Sequence, residues 1–230
     1  MASPRVASRP HTPQPPDSWD SMLPCPPSRN NFGSADVSAH GLIAFPSGSS
    51  LSIFDSRSMQ LLSSFPITPP SASSASPLSS SLYVTTVRWT PTPLCRDLLS
   101  SEPSSSHLLL AAGDCLGRIS LLDFRLKTVI LCFQADLRLG IQDLCWVRSR
   151  HDFSLLAVIE GPSTLSIYNT SMGRCIWKYD AYPEYFSCIH RDPFDSRHIC
   201  AIGLKGFLLS VTVLHGECED NVVIKEFHIP

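Results

Sequence analysis

The sequence predicts an all-β fold of repeated four-strand units, a β-propeller, and three observations carry that reading. No stretch sustains a 3.6-residue apolar period over three turns, which removes a helical core. The chain instead runs through short segments rich in Val, Ile, Leu, Phe and Tyr, punctuated by Gly, Asp, Asn, Ser and Pro, as strands and turns require. Third, an apolar-x-x-apolar-x-Trp pattern recurs in "VTTVRW" at Val84 and "IQDLCW" at Ile141, and "FSCIHR" at Phe186 keeps both apolar positions with Arg191 in the Trp slot. The spacings are 57 and 45 residues, the longer one absorbing a Ser-rich insertion. A period of roughly 40 to 45 residues carrying four strands is that of a propeller blade.

Taken in order, residues 1–38 form a Pro- and Ser-rich leader whose apolar content is too small to offset the entropy of ordering, so disorder is predicted. The first unit, 41–67, carries "GLIAF", "SLSIFD" and "LLSSFPI" without an obvious outer partner. A Ser/Pro-rich insertion, 68–81, separates it from the second unit, 83–135, which contains a further insertion of that kind at 91–106. In this unit "LLLAAGDCLGRISLLDFR" reads as the second and third strands, with Asp114 at the turn between them and Asp123 closing the pair. The third unit spans 141–181 and the fourth 185–229. Asp55, Asp123 and Asn169 fall at equivalent positions after a third strand and read as repeat-turn residues together with Asp114; Trp89, Trp146 and Trp177 read as core. Closed propellers of this type usually need about seven blades. About four units therefore predict an incomplete ring with an exposed blade edge, unless four blades close alone.

Composition narrows function. A net charge of -2 from 18 basic and 20 acidic residues gives no electrostatic reason to expect nucleic acid. Nine cysteines without a C-x-x-C, several inside apolar runs, read as small core hydrophobes in a reducing compartment. No apolar run approaches the ~20 residues of a spanning helix. "MASPRVASRPHTPQPP" has no apolar signal core, and its prolines favour a solvated tail over a transit helix.

The candidate sites are few. Cys188, His190, His198 and Cys200 form C-x-H-x7-H-x-C, and two antiparallel strands could offer them to one zinc ion; buried core positions explain the same residues without a metal. "DPFD" at Asp192–Asp195 reads as a capped turn rather than a carboxylate pair. In "WKYDAYPEYF", Tyr182 and Tyr185 flank Pro183-Glu184 and are the partner-binding candidates, since Tyr and Trp dominate interface hot spots. There is no G-x-S-x-G, G-x-x-x-x-G-K-[ST] or G-x-G-x-x-G, so no catalytic residue and no cofactor are assigned.

The ordered series "GLIAFPSGSSLSIFDS", "LLLAAGDCLGRISLLDFR", "GIQDLCW", "LLAVIEGPSTLSIYNTSMGRCIWKYD" and "RDPFDSRHICAIGLKGFLLSV" resembles the amino-terminal end of the WD-repeat-containing protein 11 family, in its plant type, from about Pro24 to Val213. The resemblance implies a truncated part of the first propeller of a long, non-enzymatic scaffold. It further implies a cytoplasmic protein, peripheral at trans-Golgi network membranes, whose partners are subunits of a vesicle-tethering complex. A propeller adaptor in signalling or ubiquitin ligation, or a truncated product without a function of its own, stands as the alternative. The sequence departs from common WD repeats: "ADLRLG" replaces a Gly-His ahead of Ile141, and the Trp-Asp slot holds Phe-Asp, Leu-Asp, Tyr-Asn and Val211-Thr212.

Overall fold

The computed structural model describes residues 34–67, 83–91, 108–149, 154–215 and 220–229. Every apolar run named above becomes a strand, and the sixteen strands among the described residues form four antiparallel four-stranded sheets, each paired in chain order. Blade 1 holds β1 (Asp36–Val37), β2 (Leu42–Ser47), β3 (Ser50–Asp55) and β4 (Leu61–Pro66). Blade 2 holds β5 (Val84–Trp89), β6 (Leu109–Asp114), β7 (Arg118–Asp123) and β8 (Thr128–Gln134). Blade 3 holds β9 (Ile141–Val147), β10 (Leu155–Glu160), β11 (Thr164–Asn169) and β12 (Arg174–Asp180), and blade 4 β13 (Phe186–Arg191), β14 (His198–Gly203), β15 (Phe207–His215) and β16 (Asp220–His228).

One difference from the sequence reading concerns β1. Composition extends the leader to residue 38, yet Asp36 and Val37 pair with Ala44 and Ile43, so the strand the unit 41–67 lacked is the first, innermost one and not an outer one. Two residues between Ser, Ala and His show no periodicity to read. Residues 1–33 of the expected disordered leader, and both insertions save Pro91, lie outside the described residues.

Alternation along each strand sends side chains to two neighbours. Leu165 and Ile167 of β11 join Leu155 and Ala157 against Leu209 and Val211 of blade 4, while Tyr168, the residue after Ile167, faces the blade 2 side with Ile119 and Leu121. The same exchange buries Leu51 and Ile53 of blade 1 against Val87, Trp89 and Leu110 of blade 2. Three apolar clusters thus lie between consecutive blades, each fully buried Leu or Ile contributing roughly 1.5–3 kcal/mol. Contact passes from blade 1 to 2, 2 to 3 and 3 to 4; among the described residues no strand of blade 4 packs on blade 1 to that extent.

The third-to-fourth-strand turns of blades 1 to 3 share one backbone-capping pattern. Asp55 accepts from the backbone N–H of Arg57 and Ser58, Asp123 from Arg125 and Leu126, and Asn169 from Ser171 and Met172. Each turn then closes on a residue with positive φ, Met59, Lys127 or Gly173. A side-chain oxygen that mimics a backbone acceptor makes this turn, so Asp and Asn are interchangeable in it.

Candidate protein-interaction surface

Antiparallel order places the second-to-third-strand turns and the links between blades at one end of the molecule, here the rim end, and the remaining turns at the other. The rim is knitted by backbone bonds: Ala135 N–H to Gly117, Gly161 N–H to Gly140, Ala181 N–H to Ser163, Phe186 N–H to Pro162 and Leu204 N–H to Tyr185. Tyr182 and Tyr185 sit here, on either side of a cis Tyr182–Pro183 peptide, 72% and 43% exposed. Asp180 accepts the Tyr182 N–H at 3.1 Å and Ala181 the Glu184 N–H at 2.8 Å, so the loop is held from its own ends. Leu204, bonded through its backbone to Tyr185, is also exposed, as are Leu116, Leu137 and Leu139 at the same end of blades 2 and 3. An apolar, Tyr-bearing strip on a rigid scaffold is the composition of an interaction hot spot.

Buried acids lock the rim where the sequence lacks its usual Gly-His. Asp114 takes the N–H groups of Leu116 and Arg118 at 2.8 and 2.9 Å and the Arg118 Nε at 2.8 Å. In blade 3, Glu160 is fully buried; its Oε1 accepts the Tyr168 hydroxyl at 2.6 Å and its Oε2 the Leu137 N–H at 3.0 Å, while the Tyr168 oxygen accepts the Asp136 N–H at 2.9 Å. Burial, and then donation to Glu160, push the Tyr168 phenol far above its ordinary value. Asp114 was legible as a turn residue; Glu160 was missed, although it closes "LLAVIE" just as Asp114 closes "LLAAGD".

At the opposite end the innermost strands of all four blades converge on a cavity of about 510 Å³, lined by Asp36, Arg88, Trp89, Cys145, His190 and Arg191 among others. Carboxylates tie neighbouring strands around it. Asp36 accepts the Trp89 N–H at 2.7 Å, joining blades 1 and 2. Asp143 pairs with Arg88 of blade 2 at 2.6 Å and accepts the Ile189 N–H of blade 4 at 3.0 Å, clasping three blades. Its signal in the sequence was an acid inside an apolar strand, "IQDLCW". Burial pushes the Cys145 thiol up to about 12, so it stays protonated and unreactive.

The other predicted residues are dispersed. Trp89 and Trp146 are buried between blades, and the Trp146 indole N–H donates to the Arg88 carbonyl at 2.9 Å. Trp177 is not core in the same sense: it lies half-buried on outer strand β12, stacked on Tyr179. The Tyr179 hydroxyl donates to Glu226 at 2.6 Å, linking the outer strands of blades 3 and 4. Cys188, His190, His198 and Cys200 share one face of blade 4, but His198 spends both ring nitrogens on Asp192 and Ser210. Among the described residues no group of three or more His, Cys, Asp or Glu is arranged to hold a metal ion. Asp192 accepts the N–H groups of Phe194 and Asp195, making "DPFD" a capped turn. No helix among the described residues is long and apolar enough to cross a membrane.

Comparison with known proteins matches residues 25–230 to the family model described as the WDR11 first beta-propeller. No curated protein matches the chain.

Proposed function

The chain belongs to the WDR11 first beta-propeller family, and on that premise we propose that it is a non-enzymatic scaffold for protein partners in vesicle tethering at the trans-Golgi network, reached from the cytoplasm. The propeller domain supports a protein-interaction scaffold; the resemblance of the ordered repeats supports the trafficking role. The observation that carries the reading is the rim strip at Tyr182, Tyr185 and Leu204, exposed and apolar on blades fixed by three buried clusters. Subunits of a tethering complex dock on that strip, and membrane association follows from those subunits. Affinity capture from cells with the wild-type chain and with Tyr182→Ala/Tyr185→Ala tests this. Recovery of Golgi tethering proteins by the wild type, lost in the double variant at unchanged melting temperature, is expected. Equal recovery by both, or ubiquitin-ligase subunits in their place, would overturn the proposal.

A further inference from the structure

The corners between third and fourth strands repeat a second feature besides their capped turns. Blade 1 places Met59 there, blade 2 Leu126 and blade 3 Met172, which are 47%, 66% and 69% exposed. Each corner runs into an outer strand that is exposed and apolar near its start: Leu61 in β4, Ile130 in β8 and Ile176 in β12. A single exposed apolar side chain needs no explanation, but one at the same corner of three successive blades does. Blades 2 and 3 have a neighbouring blade on each side and their corners are exposed all the same, so the feature belongs to the repeat.

Basic residues accompany the apolar tips. Arg57 stands two before Met59, Arg125 and Lys127 bracket Leu126, and Arg174 stands two after Met172; all four are exposed. The acids at these corners are already used. Asp55 and Asp123 accept the N–H groups of their own turns, and Asp123 also holds Arg125 at 3.2 Å, while blade 3 has the neutral Asn169 in that slot. Arg57, Lys127 and Arg174 make no salt bridge among the described residues. The charge that the three corners offer outward is therefore positive.

We propose that the corners of blades 1 to 3 form a contact with an anionic membrane surface. Met59, Leu126 and Met172 enter the boundary between headgroups and acyl chains, and Arg57, Lys127 and Arg174 lie among the anionic headgroups. Apolar groups backed by Lys and Arg hold a protein on the interface through buried apolar area and attraction to anionic lipid, without spanning the bilayer. A bilayer suits this arrangement better than a protein does. The tips project singly, one per blade, so a partner would need three separate pockets, whereas a headgroup layer yields to each; unbranched, flexible Met side chains adapt to such a phase. The contact is made by the chain itself and adds to attachment through partners. It does not rest on the tethering role, and it leaves the rim, at the other end, facing away from the membrane and open to proteins.

The test is co-flotation of the purified full chain with phosphatidylcholine vesicles, with and without phosphatidylserine. Binding only where phosphatidylserine is present, weakening as salt is raised, is expected. Lys127→Gln/Arg174→Gln, which removes two cations, should bind at least about tenfold more weakly. Leu126→Ser/Met172→Ser should lose a comparable factor, and both variants keep the capped turns and the melting temperature. Tyr182→Ala/Tyr185→Ala should bind vesicles as the wild type does, which separates this contact from the rim. No binding to either vesicle, equal binding to both, unchanged binding in either corner variant, or loss of binding in the tyrosine variant would overturn the proposal. Capture on immobilised polyglutamate without vesicle binding would overturn it too, and would assign the corners to an acidic protein. The lipid and salt dependence of the wild type decides even if a variant fails to fold.

Discussion

Tyr168 anchors the link between blades 2 and 3 to a buried acid. Removing its hydroxyl leaves Glu160 without one partner inside the fold and frees the Asp136 N–H. Tyr168→Phe should therefore cost about 1–3 kcal/mol in urea unfolding, far more than loss of an exposed hydroxyl. The turn carboxylates make a pH prediction. Asp55 is held below its ordinary value of 3.8 by the Ser58 hydroxyl and turn N–H groups. Burial works to raise Asp123, but donation from Arg125 and the turn backbone outweighs it, and the net direction is down. Asp192 and Asp195 are lowered as well, by His198 and Arg197 first. Lowered carboxyls contribute stability that is complete above the unfolded value and is lost as pH falls through the folded one. Melting temperature should stay flat with respect to these groups from pH 7 to about 5 and drop below about 4. Asp55→Asn/Asp123→Asn should flatten part of that drop, because Asn169 already shows that an amide makes the same turn. An unchanged acid limb in the double variant would contradict this.

At the scale of elements, the turns separate two effects of glycine. Gly48 and Gly117 both adopt positive φ in second-to-third-strand turns, but a Cβ on Gly48 would meet open space, whereas on Gly117 it would lie 2.5 Å from the Leu139 carbonyl. Gly48→Ala should cost only the left-handed strain, about 1 kcal/mol, and Gly117→Ala at least about 2 kcal/mol, since the inter-blade link must move as well. Equal losses by thermal denaturation would show that the link yields freely. Strands were legible in the sequence because each is a short apolar run closed by a turn residue; "SLSIFD", "RISLLD" and "TLSIYN" announce the turn chemistry found at Asp55, Asp123 and Asn169. β1 was not legible, being two residues long. Nor were the clasps at Asp143 and Glu160 or the hydrogen bonds of His198, because partners such as Arg88, Tyr168 and Ser210 are brought together by pairing and blade stacking, which residue spacing does not encode.

For the whole molecule, four sheets stacked through three clusters make a body whose two ends differ: a charged axial cavity ringed by Asp36, Arg88 and Arg191, and an apolar rim bearing Tyr182 and Tyr185. Tyr182 and Tyr185 were readable as candidates from aromatic density around a Pro-Glu turn; their exposure followed from blade packing, which buries Trp146 and Tyr168 instead. Because neither tyrosine supports a cluster, their loss should leave stability within about 0.5 kcal/mol of the wild type while removing binding. The most direct measurement is photo-crosslinking in cells with a benzophenone amino acid placed at position 182, and at exposed Leu126 on the far end as a control. A partner protein joined at 182 and absent at 126 is the predicted result. Crosslinks of equal yield from both positions, or from 126 alone, would contradict the assignment of the rim as the working surface of this scaffold.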